Sequence, residues 1–304
     1  MNWFLIALSA PALWAVSNHI DKYLLKKYFN HQGIGALIIF SGLIYLFILP
    51  IFLLFSTNVF EVPGYYILLL IATGILEVIG FLVYLYALEK DEASVVAPLF
   101  QIMPVLAYIF GYFLLGETLT EIQIGGSLLI IMGAIILSLD LTQIKMRFKT
   151  AVFFLVFLAS LIFALDTAIF KVVALEENYW ATIFWSSFGD SIMGLFFLCF
   201  VGNYRNQFLY LFKTSATAII GINVFNEIIT LIGQLLVRYA ILLAPLALVQ
   251  TIGGFQPLFV FFFGVMLVLF FPGLGITEDL SKRTIIQKFL AMIVMLIGTY
   301  IINI

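Results

Sequence analysis

The chain has 304 residues, of which 64% are hydrophobic and only 10% are charged, and its mean hydropathy is +1.20. A soluble domain carries roughly 25% charged residues. Too little polar surface is available here to cover a globule in water, so the composition argues against a soluble enzyme. The net charge of −2 provides no basic surface for DNA or RNA. The chain has one cysteine, Cys199, and two histidines, His19 and His31. The sequence therefore predicts no disulfide within the chain and no metal site.

Apolar segments long enough to cross a bilayer follow one another along the whole chain. About 20 apolar residues span the hydrocarbon core as a helix, and turn residues or charges separate the segments. The first segment has no basic residue before it and no cleavage signal after it, so we expect a retained helix rather than a signal peptide. Ten transmembrane helices are predicted, at residues 3–25, 33–55, 64–88, 93–114, 121–141, 150–174, 180–202, 214–241, 245–271 and 284–303.

Weak internal similarity divides the chain into two halves. A shift of 149 residues aligns the first segment with the sixth, and a shift of 153 aligns the third and fourth with the eighth and ninth. The aligned pairs include Trp14 with Phe163, Lys22 with Lys171, Gly80 with Gly233, and Pro104 with Pro257. Because each half holds an odd number of segments, the second half must enter the membrane from the opposite side. We therefore predict an all-α membrane protein of two inverted five-helix repeats, residues 1–144 and 145–304, which is typical of secondary transporters.

Several short motifs occur in an order known from one transporter family. They are the Trp14 to Lys22 spacing, Ala93-Ser94-Val95-Val96-Ala97-Pro98 before Pro104, Leu115-Gly116-Glu117-Thr118-Leu119, and Gln123-Ile124-Gly125-Gly126 before Met132-Gly133-Ala134. On these motifs the chain resembles the EamA-like ten-helix members of the drug/metabolite transporter superfamily over nearly its whole length. The resemblance implies transport of a small metabolite without a cofactor. We expect a monomer in a bacterial inner (plasma) membrane.

Basic residues predict the orientation of the chain. When successive loops are assigned alternately to two sides, five loops on one side hold nearly all the Lys and Arg residues. The positive-inside rule then places both termini outside the cytoplasm. Members of the family that the chain resembles usually have both termini inside. We follow the charge distribution, because five separate loops agree.

Ionisable side chains in the middle of apolar segments are the first candidates for function, because a charge at mid-membrane is costly unless it is paired or hydrated. Glu77 and Glu227 lie near the middle of the third and eighth segments. The 153-residue shift matches Glu227 with Gly74, one helical turn from Glu77. We interpret both carboxyls as substrate or proton sites. The alternative is a neutral glutamic acid that makes a structural hydrogen bond.

The eighth segment carries a polar stripe. Its members recur at spacings of three and four residues and so share one helix face. They are Asn223, Asn226, Glu227, Thr230, Gln234 and Arg238. Lipid would leave these groups without hydrogen bonds, so they must face other helices or water. Interhelical hydrogen bonding is the simpler interpretation, and we favour a lined cavity.

Further candidates for substrate or proton binding lie in the first and sixth segments. They are Trp14 and Asn18, which share one face of the first helix with Lys22, and Asp166 and Lys171 in the sixth segment. In the membrane, Lys171 needs water or an anionic partner, for which Glu227 is one candidate. We favour a hydrogen-bonded packing role for His19 over a proton relay. Packing is also favoured for Trp185, Ser186 and Asp190 over a wall that contacts a ligand.

Two prolines fall inside predicted helices. Pro104 and Pro257 each remove one backbone hydrogen bond, and Gln101 and Gln256 place an amide beside each of them. Paired broken helices near the midplane are where transporters bind substrate. The alternative is a kink that serves packing alone.

These observations favour a secondary transporter of a small polar metabolite, such as an amino acid, another zwitterion or an organic cation. We expect membrane lipid, the solute and a possible coupling proton or cation as partners, and no nucleic acid. A channel or a structural subunit of a membrane complex is the alternative, although the sequence has no selectivity-filter motif. We do not expect an enzyme, because a nucleophile–base set is missing, and no nucleotide-binding motif supports ATP-driven transport.

Overall fold

The computed structural model describes residues 2–24, 33–56, 58–90, 96, 99–138, 150–214, 217–270 and 281–303. Regular secondary structure in these ranges is helical throughout. Among the described residues, nine helices are long and apolar enough to cross a membrane, and Met103–Leu115 is a shorter apolar helix. The chain is therefore an all-α, multi-pass integral membrane protein, as its composition predicts.

The helices follow the predicted segments closely, except that α4 begins later than the predicted fourth segment. Residues 93–95 and 97–98 of that segment, and the predicted repeat boundary at 144–145, lie outside the described residues. Those of the first half are α1 (Asn2–Leu24), α2 (Ile34–Phe52), α3 (Gly64–Lys90), α4 (Met103–Leu115) and α5 (Glu121–Ser138). Those of the second half are α6 (Thr150–Ala174), α7 (Tyr179–Phe200), α8 (Gly202–Thr214), α9 (Thr217–Leu243), α10 (Leu246–Ile252), α11 (Gln256–Phe270) and α12 (Lys282–Ile302). The predicted ninth segment corresponds to α10, α11 and the 3-10 turn between them.

Helix α8 differs from the prediction, which left these residues between two segments. The helix is short and half polar, so it gives no membrane-spanning signal. Its inner side packs on the start of α2, where the Gly35 backbone N–H donates to Gln207 Oε1 at 2.9 Å. The Tyr204 hydroxyl is hydrogen-bonded to that of Tyr86. Burial, together with this bond, raises the pKa of Tyr204.

Equivalent helices of the two halves make equivalent contacts. A Cβ added to Gly80 would lie 3.1 Å from the Phe163 ring, so α3 packs closely on α6. A Cβ added to Gly233 would lie 2.7 Å from the Trp14 indole nitrogen, so α9 packs on α1 in the same way. The shifts of 149 and 153 residues that align the sequences also relate these two contacts. This correspondence supports the predicted inverted repeat.

The two halves differ where α7 and α2 meet their neighbours. A Cβ added to Gly74 would overlap the Ser186 carbonyl oxygen, so the backbones of α3 and α7 touch. The position equivalent to Gly74 in α9 is Glu227, whose carboxylate accepts a hydrogen bond from Ser41 on α2 at 2.5 Å. Helices α9 and α2 approach each other much less closely than α3 and α7 do.

Candidate functional site

The polar stripe of α9 faces the protein interior. Asn223, Asn226 and Arg238 are buried, at 2%, 3% and 5% exposure. The exposed residues of the same helix are Gly221 and a set of hydrophobic side chains, namely Ile222, Phe225, Ile228, Ile232, Tyr239 and Leu243. The spacing of three and four residues therefore identified the buried face. The contacts divide the stripe into two groups, whereas the sequence suggested one.

The first group, here called the Arg238 cluster, consists of Glu77, Asp166, Asp190, Gln234 and Arg238. The Arg238 guanidinium donates to Glu77 Oε2 at 2.6 Å and lies 4.0 Å from Asp166 Oδ1. It also stacks over the Phe170 ring, 4.5 Å from the centroid. One guanidinium thus joins α3 of the first half to α6 and α9 of the second half.

Neutral side chains complete the coordination of Glu77. The Gln234 amide nitrogen donates to Glu77 Oε1. The Gln234 carbonyl in turn accepts a hydrogen bond of 2.6 Å from the Tyr45 hydroxyl of α2. Both oxygens of the carboxylate therefore have a donor, and the Glu77 side chain keeps 23% exposure.

Two carboxylates of the Arg238 cluster are less well satisfied. Asp166 Oδ1 and Asp190 Oδ2 are buried and have no hydrogen-bond partner among the described residues. Asp190 of α7 lies within electrostatic range of Glu77, Arg238 and Asp166. When ionised, the three carboxylates outnumber the one guanidinium, so the cluster has an excess of negative charge.

The second group, here called the Asp21 cluster, consists of Ser17, Asp21, Ser41, Asn226 and Glu227. Asn226 Nδ2 donates to Asp21 Oδ1 at 2.7 Å, and Glu227 holds the Ser41 hydroxyl. Glu227 and Arg238 are eleven residues apart on α9, which is about 16 Å along a helix. The two predicted glutamates therefore belong to different groups.

The face of α1 that contacts α9 corrects the sequence prediction. Ser17 Oγ lies 3.0 Å from Thr230 Oγ1, and the Trp14 indole N–H donates to the Thr230 carbonyl at 3.3 Å. The contacting residues are Trp14, Ser17 and Asp21, whereas the prediction grouped Trp14 with Asn18. Asn18 is exposed. The row of α1 that faces α9 therefore contains residues 14, 17 and 21, and Asn18 lies outside it.

The proposed pairing of Lys171 with Glu227 is wrong. The Lys171 ammonium instead forms an ion pair with Glu117 and donates to the Ala244 carbonyl at 2.7 Å. Glu117 also accepts a 2.7 Å hydrogen bond from the Leu246 backbone N–H at the start of α10. Lys171 thus takes its anionic partner from the loop after α4 and lies in neither cluster.

Glu117 is the partner of Lys171 that the sequence analysis did not identify. Helix α4 ends at Gly116, whose φ of 67° is the left-handed conformation that favours glycine. The turn returns the chain onto the helix, where the Glu117 N–H donates to the Gly111 carbonyl at 3.0 Å. A Cβ on Gly111 would lie 2.8 Å from Glu117 Oε2. The Leu115-Gly116-Glu117 sequence was a signal for this helix end.

Both predicted helix breaks are present. Pro104 lies at the start of α4, directly after a turn at Gln101-Ile102. Pro257 is the second residue of α11, directly after the 3-10 turn Gly253–Phe255. The two breaks face each other, because a Cβ added to Gly254 would lie 3.2 Å from Gln101 Oε1. Gln256 is the first residue of α11 and is partly buried.

The packing interpretations of His19, Trp185 and Ser186 agree with the contacts, whereas Asp190, for which packing was also expected, lies in the Arg238 cluster. His19 Nε2 is hydrogen-bonded to the Val260 carbonyl at 2.9 Å, and the Trp185 indole N–H donates to the Val59 carbonyl at 2.8 Å. Ser186 shares a hydrogen bond of 2.9 Å with Thr73. Within the described ranges, no group of three or more His, Cys, Asp or Glu side chains could hold a metal ion.

Comparisons with known proteins agree with a transporter. Residues 1–139 match the model of the EamA-like transporter family, which confirms the resemblance for the part of the chain that carries the quoted motifs. The chain also matches 26 chains of solved structures. One, entitled "Crystal structure of protein", has a TM-score of 0.66 at 14% identity over 99% of this chain and 96% of its own, which shows a shared fold. No curated protein matches the chain.

Proposed function

We propose that this multi-pass membrane protein, whose first 139 residues match the EamA-like transporter family, is a secondary transporter. Its proposed substrate is a small polar metabolite with an ammonium group. Amino acids, other zwitterions and organic amines carry such a group. The Arg238 cluster is the proposed binding site, and the membrane is proposed to be a bacterial inner membrane, as is usual for the family that the chain resembles.

The observation that carries the ammonium assignment is that two buried oxygens, Asp166 Oδ1 and Asp190 Oδ2, have no hydrogen-bond donor among the described residues. The Arg238 guanidinium is 4.0 Å from Asp166 Oδ1, which is too far for a hydrogen bond. Leaving an ionised acceptor without a donor in a buried site costs free energy. An ammonium N–H would supply the missing donor and offset the excess negative charge. A neutral sugar would supply donors but no charge.

Alternating access is the mechanism that this site supports. The ion pair of Glu77 with Arg238 connects the first half to the second. When inverted halves rock about a central site, contacts that cross between them change. A zwitterion could hold the halves together through its own charges, with its ammonium on the carboxylates and its carboxylate on Arg238. Substrate would then replace the Glu77–Arg238 contact during rocking.

The proposal is tested by uptake into proteoliposomes. The purified protein is reconstituted and offered a pool of isotope-labelled amino acids, biogenic amines, neutral sugars and carboxylates, and the lumen is analysed by mass spectrometry. We expect accumulation of one or more ammonium compounds, and loss of it in Asp166→Asn and Asp190→Asn. Glu176→Gln, at an exposed loop carboxylate, is the matched control. Uptake of sugars or carboxylates alone, or normal amine uptake by both aspartate variants, would contradict the assignment.

A further inference from the structure

The Asp21 cluster lies in the membrane part of the bundle and is not used by the proposed substrate site. It joins α1 and α2 of the first half to α9 of the second half through the Asp21–Asn226 and Ser41–Glu227 hydrogen bonds. The two carboxylates of this cluster, Asp21 and Glu227, lie within electrostatic range of each other. None of the ion pairs seen in the described residues reaches either carboxylate.

A second observation points to a ligand in this cluster. Asn226 is 3% exposed, and its Oδ1 has no hydrogen-bond partner in the part of the chain that the structure describes. Because the amide nitrogen of the same group contacts Asp21, the free oxygen lies beside that carboxylate. Asn223, one turn before it on the same face, is 2% exposed and also has an unpartnered Oδ1. Both buried amides thus present acceptors without donors.

The chemistry of these atoms selects the kind of ligand. Carboxylate, amide and hydroxyl oxygens are the ligands that hard cations take, several at once. Hydroxyl oxygens of Ser17, Ser41 and Thr230 border the same site. A proton on one carboxyl would satisfy one acceptor and leave the amide oxygens unpartnered. A monovalent metal ion would contact several of these oxygens and offset the carboxylate charge.

We propose that the Asp21 cluster is a sodium-binding site, separate from the Arg238 cluster on the same helix. The ion would be held by Asp21, Asn226 and Glu227, with Ser41 as a further oxygen ligand. Because these residues come from both halves, bound sodium would stabilise the arrangement in which α1, α2 and α9 are together. Its role as a coupling ion rests on the proposed transport function, whereas the binding itself does not.

Equilibrium binding of ²²Na⁺ to the purified, detergent-solubilised full chain tests the proposal at pH 7.5, with choline as the inert cation. We expect saturable binding that unlabelled sodium displaces and choline does not. Removing the groups that orient metal ligands costs about 10–100-fold in metal affinity, so Glu227→Gln, which removes the charge of a proposed ligand, should bind sodium at least about tenfold more weakly. Ser41→Ala is the milder variant and should also bind more weakly. Size-exclusion chromatography checks that each variant is folded.

Two further variants test whether the sites are separate. Asp166→Asn, in the Arg238 cluster, and Glu176→Gln, in an exposed loop, should bind sodium like the unmodified chain. The proposal would be overturned if the unmodified chain showed no saturable sodium binding. It would also be overturned if Glu227→Gln and Ser41→Ala bound sodium as tightly as the unmodified chain, or if Asp166→Asn lost sodium binding. Amine uptake that needs a proton gradient and no sodium would overturn the role of sodium as the coupling ion, while leaving the proposed transport function intact.

Discussion

The ion pair of Glu117 with Lys171 allows a double-mutant cycle with a defined expectation. Lys171 is 5% exposed at its side chain and Glu117 is 15% exposed, so the pair is largely buried. Removing one partner of a buried pair costs about 3–5 kcal/mol, because the other charge remains buried without compensation. In Glu117→Gln the ammonium keeps the Ala244 carbonyl as its remaining acceptor, so a loss in this range is expected.

The other two variants of the cycle, Lys171→Met and the double variant, should lose less stability. In Lys171→Met the Glu117 carboxylate keeps its bond from the Leu246 N–H and some contact with solvent, so we expect a loss of about 2 kcal/mol, the scale of one charged hydrogen bond. The double variant leaves no unpaired charge and an apolar side chain of similar length. Such replacements are often nearly neutral, so its loss should be smaller than that of Glu117→Gln alone.

Reversible unfolding in mixed micelles of a mild detergent and dodecyl sulfate, followed by tryptophan fluorescence, would give the four free energies. Because the double variant should lose less than Glu117→Gln alone, the predicted coupling energy is more than about 2 kcal/mol, the loss expected for Lys171→Met. Additive losses, with a coupling energy within about 0.5 kcal/mol of zero, would show that the two residues do not interact as described.

Three further predictions concern close packing, a turn and the orientation of the chain. Gly74→Ala should lower stability, because its Cβ would meet the Ser186 backbone, whereas Gly125→Ala, with open space around it, should be neutral or stabilising by up to about 1 kcal/mol. Gly116→Ala should cost about 1–2 kcal/mol, the strain of a left-handed residue with a Cβ. Thermal unfolding with Gly125→Ala as the common control checks both, and equal midpoints would contradict them. A reporter that is active only in the cytoplasm, fused after Ile304, should be inactive; activity would show that the orientation deduced from the charges is wrong.

Local patterns predicted the helices, the buried face of α9 and the two helix breaks. They succeed because each depends on neighbours within a few residues: a run of apolar residues, a spacing of three and four, or a proline that removes a hydrogen bond. The shifted alignment went further, because Gly80 with Phe163 and Gly233 with Trp14 are contacts between distant helices. A glycine opposite an aromatic ring at both positions indicates a repeated packing site.

Long-range partners could not be predicted in the same way. Glu117 lies 54 residues from Lys171, and it reaches the ammonium only because the turn at Gly116 returns the chain onto α4. The division of the α9 stripe into two clusters could not be predicted from the sequence either, because Glu227 and Arg238 share a helix face but contact different helices. The face of α1 was predicted wrongly because its polar residues occur on two adjacent rows, and only the position of α9 decides between them.

Exchange transport tests the central claim, a transporter that alternates access to the Arg238 cluster, most directly. Proteoliposomes are loaded with an unlabelled amine that the uptake screen identifies, and entry of the labelled amine is followed with and without this internal load. A carrier returns faster with substrate bound than empty, or transports only in exchange, so the load should accelerate labelled entry in the unmodified chain, and Asp166→Asn should abolish this entry. Rapid labelled entry that ignores the internal load and persists in Asp166→Asn would indicate an open pore that bypasses the cluster and would contradict the account.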